Sequence, residues 1–237
     1  MWKLVAALLG LAVADLAVYA QDAVDAQANV IMPDGRRNLV VSNHSTKTVT
    51  AWAIRYRYRV AQFPEEEGEA FLDSVLILMQ KPIAPGAQTA SPVGPIAIGQ
   101  RVAVWGVELR AAVFDDGSAF GDPVWVSRIR DRRVIALEEL DAQVSILNGA
   151  ATKAAAGTIT RDSLVEQLRT QLADRRDRET GQERKQVIEW MHLTVMSNLG
   201  NNVGRPLGEA IDRTKRALLV GIRPRIARAA GLNPNAH

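Results

Sequence analysis

The chain has 237 residues, of which 47% are apolar and 23% charged, and a formal net charge of +3. That length suffices for one large domain or two small ones with ample material for a core. The absence of cysteine excludes disulfides and all thiol-based catalysis or metal binding, and the small positive excess is compatible with an anionic partner without requiring one.

Residues 1–20 read as a secretory signal. Lys3 supplies a short positive start, Leu4–Ala14 an apolar stretch, and small residues precede two cleavage points, after Ala14 and after Ala20. The second is preferred, because Asp15 suits the polar end of a signal. An uncleaved anchor is the alternative, but the apolar run stops at Asp15, too short to span a bilayer. An exported chain without cysteine belongs in a periplasm or beyond, stabilised by its core. Residues 21–35, polar and rich in Ala and Asp, read as a flexible leader ending at the Asp34-Gly35 turn.

From 36 to 122 the pattern is β. A strand over Asn38–Ser42 ends in the turn cluster Asn43-His44-Ser45. In Thr48–Val60, Trp52, Ile54, Tyr56, Tyr58 and Val60 share one face, while Arg55, Arg57 and Arg59 share the other. Phe63–Glu69, with Glu65-Glu66-Glu67, reads as an acidic solvated loop. Phe71–Met79 reads as a strand, Ile83–Gly86 as a turn and Gln88–Val93 as a weak strand, before the breakers Pro92, Gly94, Pro95 and Gly99. A long strand then starts at Val102, with Ala103, Trp105, Val107, Leu109, Ala111 and Val113 on one face and Glu108 and Arg110 on the other. Asp116-Gly117 supplies a tight turn, and Asp122 followed by Pro123 the cap and first residue of a helix.

The period then becomes helical. Val126, Ile129, Arg133, Leu137, Leu140, Val144 and Leu147 mark a long helix over 123–149, with Asn148-Gly149 as its C-cap and Ala150–Gly157 as a small-residue linker. Residues 158–237 form a helical region: Arg161–Arg178 with Leu164, Leu168 and Leu172; Glu183–Leu199 with Ile188, Met191 and Val195; and Leu207–Ile222, ended or kinked by Pro224. Such narrow stripes must pack on one another, on the sheets or on a partner. The fold class is therefore α+β: an N-terminal antiparallel β-sandwich of immunoglobulin or fibronectin type, then a long helix and a small helical C-terminal region.

Two short motifs add a resemblance. Leu39–Ser45 through Val49-Thr50-Ala51-Trp52, taken with Phe114-Asp-Asp-Gly-Ser118-Ala-Phe-Gly-Asp122, is similar to uncharacterised secreted bacterial proteins with an immunoglobulin-like sandwich, which share Asn-x-Ser…Thr-Ala and Asp-Gly-Ser-x-x-Gly-Asp patterns. The resemblance covers about Arg37–Asn148. It implies a fold and an exported location, and no activity or site residue.

Candidate chemistry is sparse. Asp115, Asp116, Ser118 and Asp122 offer oxygens of the kind calcium takes, but without EF-hand spacing or a closing Glu they read more simply as a turn and a cap. Glu189 and His192 form one E-x-x-H step, whereas di-iron bundles need two. His44, His192 and His237 are the only histidines, and no nucleophile elbow, P-loop or dinucleotide fingerprint is present. Adjacent Glu138 and Glu139 point in different directions along a helix. The arginine clusters at 128–133, 175–178 and 223–228 contain acids or follow an export signal, which argues for solvated faces rather than nucleic-acid binding.

The expectation is an exported, non-enzymatic binding or scaffolding protein without a cofactor or metal. It would engage a protein partner or a second copy through Arg55, Arg57 and Arg59 or through its helices. Arg213, Lys215 and Arg216 on the last helix would also suit an anionic membrane surface. The alternatives are a carbohydrate- or envelope-polymer-binding module using Trp52, Tyr56 and Tyr58, and a hydrolase gathering Asp115, Asp122, Glu108 and His44.

Overall fold

The computed structural model describes residues 24–31, 37–60, 63–77, 80–91 and 102–232. The signal, both its cleavage points, the breaker run after Ser91 and His237 lie outside the described residues. The fold is α+β: two N-terminal antiparallel sheets, then four helical segments. The described residues divide into two compact units, those within 1–73 and 81–126 and those within 74–80 and 127–237.

In the first unit, one sheet has the order β1-β2-β5, with β1 Val24–Ile31, β2 Arg37–Asn43 and β5 Gln88–Ser91. The other has the order β4-β3-β6-β7, with β3 Val49–Val60, β4 Glu66–Asp73, β6 Val102–Phe114 and β7 Ala119–Gly121. Val24, Leu39 and Val41 from the first sheet and Trp52, Ile54, Tyr56, Val104, Ala112 and Phe114 from the second form one buried cluster. Residues 24–31, expected within a flexible leader, are thus a strand: Val24 is buried and the backbone pairs with β2. The expected acidic loop also becomes strand from Glu66, where each Glu faces the arginine strand in register, Glu67 opposite Arg57 and Glu69 opposite Arg55.

The long strand forms, but its expected faces do not. β6 carries an extra residue relative to β3 at two places, one around Gly106 and one around Arg110. Each bulge moves the following side chains to the other face. The side chains in the common core are Val104, Val107, Leu109, Ala112 and Phe114, with two gaps of three residues. Gly106 permits the first bulge because its φ is +56°.

Phe71–Met79 is not a strand throughout. β4 ends at Asp73, and Ser74–Gln80 belongs to the helical unit, where Val75 and Leu76 are buried in the helix core. An unbroken apolar run lacks the alternation of a one-sided strand, and here Val75, Leu76 and Ile77 join the helix core, while Leu78 and Met79 lie outside the described residues.

The helices are α1 Pro123–Ala155, α2 Arg161–Arg178, α3 Gln182–Gly200, and α4 Leu207–Arg216, which continues through a π-helical turn, Ala217–Ile222, into α5 Arg223–Ala229. Thr160 caps α2 by accepting from the Ser163 amide. Leu140, Leu147, Leu164, Leu168, Met191, Leu199, Ile211 and Leu218 fill their common core. Asn148-Gly149 does not end α1, and the expected linker is its last two turns. Ala150 is buried in that core, which outweighs the poor helix propensity of one glycine. The chain leaves the helix at Gly157, with φ +67°. A Cβ on Gly149 would meet nothing within 4 Å. Gly149→Ala is therefore expected to stabilise the protein by about 0.5–1 kcal/mol in urea unfolding; a C-cap glycine would give a loss instead.

Pro224 does not end the last helix either. Leu218 and Ile226 are both buried although eight residues apart, a spacing that overshoots two α-helical turns by about 80°. The wider π turn between them removes much of that drift and ends just before Pro224, which supplies no N–H.

Candidate functional site

The two motifs meet at one end of the second sheet. Asn43 is fully buried: its Nδ2 donates to the carbonyls of Lys47 and Ile83, both at 2.8 Å, and its Oδ1 accepts from the Ser45 amide and hydroxyl at 3.0 and 2.7 Å. Lys47, in the same turn, reaches the second motif, with Nζ 2.7 Å from Asp116 and 2.9 Å from Ser118 Oγ. The Asp115 amide donates to Thr48 O at 2.9 Å. Bonds from Lys47 first, then Ser118, hold the Asp116 carboxyl well below the usual carboxylate range. Asp122 accepts from the Val124 amide at 2.9 Å, capping α1, and from Arg110 at 2.7 Å, and both lower its pKa. Arg110 also pairs with Glu108 at 3.2 Å and lies over the Trp125 ring at 5.7 Å.

These contacts redirect the oxygens offered as calcium ligands: Asp116 faces a lysine and Asp122 an arginine and a helix N-terminus. The hydrolase grouping does not assemble as a cleft. Glu108 and Asp122 flank Arg110, Asp115 is exposed in the turn, and His44 pairs with Asp25 of β1 at 3.5 Å. The sugar platform is likewise displaced, since Trp52 and Tyr56 lie in the core and the Tyr58 hydroxyl donates to Glu66.

Arg55, Arg57 and Arg59 are exposed on β3, but not as a bare cationic face. Arg55 pairs with Glu67 at 2.7 Å, Arg57 lies 3.8 Å from Glu67 and 3.9 Å from Glu65, and Arg59 lies 3.8 Å from Glu65 and over the Trp105 ring at 5.7 Å. This ladder places fixed charge on β4, an edge strand, and opposes edge-to-edge pairing.

In the helical unit, arginine links the helices. Arg128 of α1 bonds Glu183 of α3, and Arg132 covers Trp190 at 5.1 Å. Arg133, fully buried, donates to Ala229 O at 2.6 Å at the end of α5. Glu139, also buried, accepts from Arg175 of α2 at 2.6 and 2.7 Å and from Gln143 at 2.8 Å, whereas its neighbour Glu138 points outward to Arg184 at 2.8 Å. Arg223 holds Asp141 at 2.9 Å. The E-x-x-H pair separates: Glu189 faces Arg176 at 3.6 Å, while His192 is buried with Nδ1 lacking a hydrogen-bond partner among the described residues.

Burial, aided by the Arg169 charge, lowers the His192 pKa from the usual value of 6.5. The unfolded chain therefore takes up a proton before the folded one as pH falls. Stability is expected to be level above about pH 7.5 and to decline through pH 6.5 toward the folded pKa. His192→Leu should flatten that arm in urea titrations between pH 7.5 and 5 while leaving the more acidic arm, where Asp116, Asp122 and Glu209 protonate. An unchanged slope in the variant would assign the decline elsewhere.

One surface differs. Residues 213–232 contain six cations and no acid. Arg213 pairs with Glu209 at 2.9 Å and Lys215 with Asp212 at 3.7 Å. Arg216, Arg225 and Arg228 are exposed and make no ion pair among the described residues. Between them Leu219 and Val220 stand in solvent, Val220 at 72% exposure, and Leu232 follows at 46%. Of the expected cationic residues on this helix, only Arg216 is thus uncommitted. Arg225, Arg228, Leu219 and Val220 were absent from the expected binding face; the acid-free run after Asp212 is the sequence signal for them.

No family model matches the chain, and neither a curated protein nor a solved structure is similar to it at a significant level.

Proposed function

We propose that this is an exported, non-enzymatic binding or scaffolding protein that holds an anionic partner on the outer face of α4, the π turn and α5. The observation that carries the reading is the contrast between two arginine populations. Arg128, Arg132, Arg133, Arg175, Arg184 and Arg223 link elements within the helical unit, while Arg216, Arg225 and Arg228 are exposed before and after the exposed Leu219 and Val220 in the chain. Solvent-facing apolar side chains accompanied by uncommitted cations on the same helical segment gain contacts when an anionic partner covers them. Two antiparallel sheets with a common core support an immunoglobulin-type platform, as the motif resemblance implies. Export rests on the sequence of residues 1–20.

The test is a photo-crosslinking residue at position 220 of the full chain in its native envelope, with position 193 as reference, since Leu193 is comparably exposed at 63%. A defined adduct at 220, lost on R216Q/R225Q/R228Q substitution, is expected. No adduct, or equal labelling at both positions, would overturn the reading.

A further inference from the structure

We infer that the anionic partner of this face is a phospholipid surface, against which the π turn seats Leu219 and Val220 at the acyl boundary while Arg216, Arg225 and Arg228 take the phosphates. The inference rests on the proposed binding role of the same face and names its occupant. Three features point to lipid.

The first is the uniform sign of the charge. No acid lies between Arg213 and Leu232, and the neighbouring carboxylates are each held by a cation: Glu209 by Arg205 and Arg213, Asp212 by Lys215 and Asp141 by Arg223, which leaves Arg216, Arg225 and Arg228 for a continuous negative surface. An acidic protein would bring a patterned set of carboxylates, which three cations without fixed partners do not discriminate. The second is the mixture of side chains. Interfacial helices place apolar residues a few ångströms into the headgroup region and keep cations at its level on flexible stems. Here two branched aliphatic residues stand between Arg216 and Arg225, and Leu232 follows Arg228. The third is the π turn. It holds Leu218 and Ile226 in the helix core while leaving 219–221 exposed, and the space above Gly221 is open. The opposite side of the helix is in the protein core, so the segment lies on the surface rather than in it. Consistently, no described helix is long and apolar enough to cross a membrane.

Flotation of the full chain with vesicles tests this. Binding is expected to equimolar phosphatidylcholine and phosphatidylglycerol, little to phosphatidylcholine alone, and less as salt is raised. R216Q/R225Q/R228Q should weaken it on the order of 100-fold, and Val220→Asp should reduce it without any change in net arginine. K153Q/R169Q/K185Q, which removes equal charge elsewhere on the helices, should leave it within about twofold of the wild type, since charge beyond a Debye length is screened. Equal loss in both triple variants would mean general basicity and would overturn the inference. So would absence of vesicle binding. In that case an arginine-dependent protein adduct at position 220 would preserve the binding role with a protein as partner, and its absence would remove both.

Discussion

Gly121→Ala is expected to lower the stability of the first unit by about 3 kcal/mol or more, among the largest effects a single methyl group produces. Gly121 has φ +103°, and a Cβ there would lie 2.2 Å from the Arg110 carbonyl oxygen and 2.9 Å from the Ala111 Cα. Neither obstacle is a flexible side chain. The Arg110 carbonyl also accepts the Asp122 amide at 2.8 Å, so moving it away breaks the bond that aligns the capping residue of α1. Arg110, Asp122 and Trp125 would shift together. Gly86→Ala is the comparison: φ is +72°, but nothing lies within 4 Å of the added carbon, so only the backbone strain of about 1 kcal/mol applies. Urea unfolding of both variants, monitored by tryptophan fluorescence, checks the difference. Similar losses would mean the close approach at Gly121 relaxes freely.

Asn43→Ala is the second large effect, expected at about 3 kcal/mol. It removes two donor bonds and two accepted bonds from a fully buried side chain and leaves the Lys47 and Ile83 carbonyls without those donors. Asn43→Asp should cost at least as much, because the carboxylate keeps the bonds from Ser45 but faces two carbonyl oxygens without a donor and adds a buried charge. Lys47→Met, which breaks exposed contacts to Asp116 and Ser118 and a 5.9 Å approach to the Phe114 ring, should cost less than about 1 kcal/mol. The same unfolding series reads all three. An alanine variant as stable as the lysine one would show that the Asn43 bonds are replaced by water.

Both residues belong to the motifs legible in the sequence, and their roles are architectural. Asp116-Gly117, Asp122-Pro123 and Asn43-x-Ser45 were readable because turn and cap chemistry is local. The extent of α2 was readable from the spacing of Leu164, Leu168 and Leu172, although only the first two are buried and Thr160 is the cap. What was not legible depended on distant partners. The two bulges in β6 are set by register against β3, so the inward residues could not be assigned from alternation. Gly149 looks like a helix stop until the burial of Ala150 is known, and Ser74–Gln80 looks like strand until the helix core is there to receive Leu76. The arginine sites divide the same way. Every cluster was visible, but which arginines were committed to partners was a tertiary fact. Arg55, Arg57 and Arg59 meet Glu67 of β4 or Glu65 just before it, and Arg225 and Arg228 meet no carboxylate among the described residues.

Arg216, Arg225 and Arg228 are surplus to the fold, whereas Arg128, Arg175 and Arg223 tie its helices together. The direct measurement is the urea midpoint of R216Q/R225Q/R228Q beside that of R128Q/R175Q/R223Q. The first variant is expected to match the wild type within about 0.5 kcal/mol. The second should lose about 3 kcal/mol or more, because Arg175→Gln alone leaves the Glu139 carboxylate buried without its cation. Equal losses in the two variants would contradict the claim, since the three exposed arginines would then be part of the scaffold rather than a face kept free for a partner.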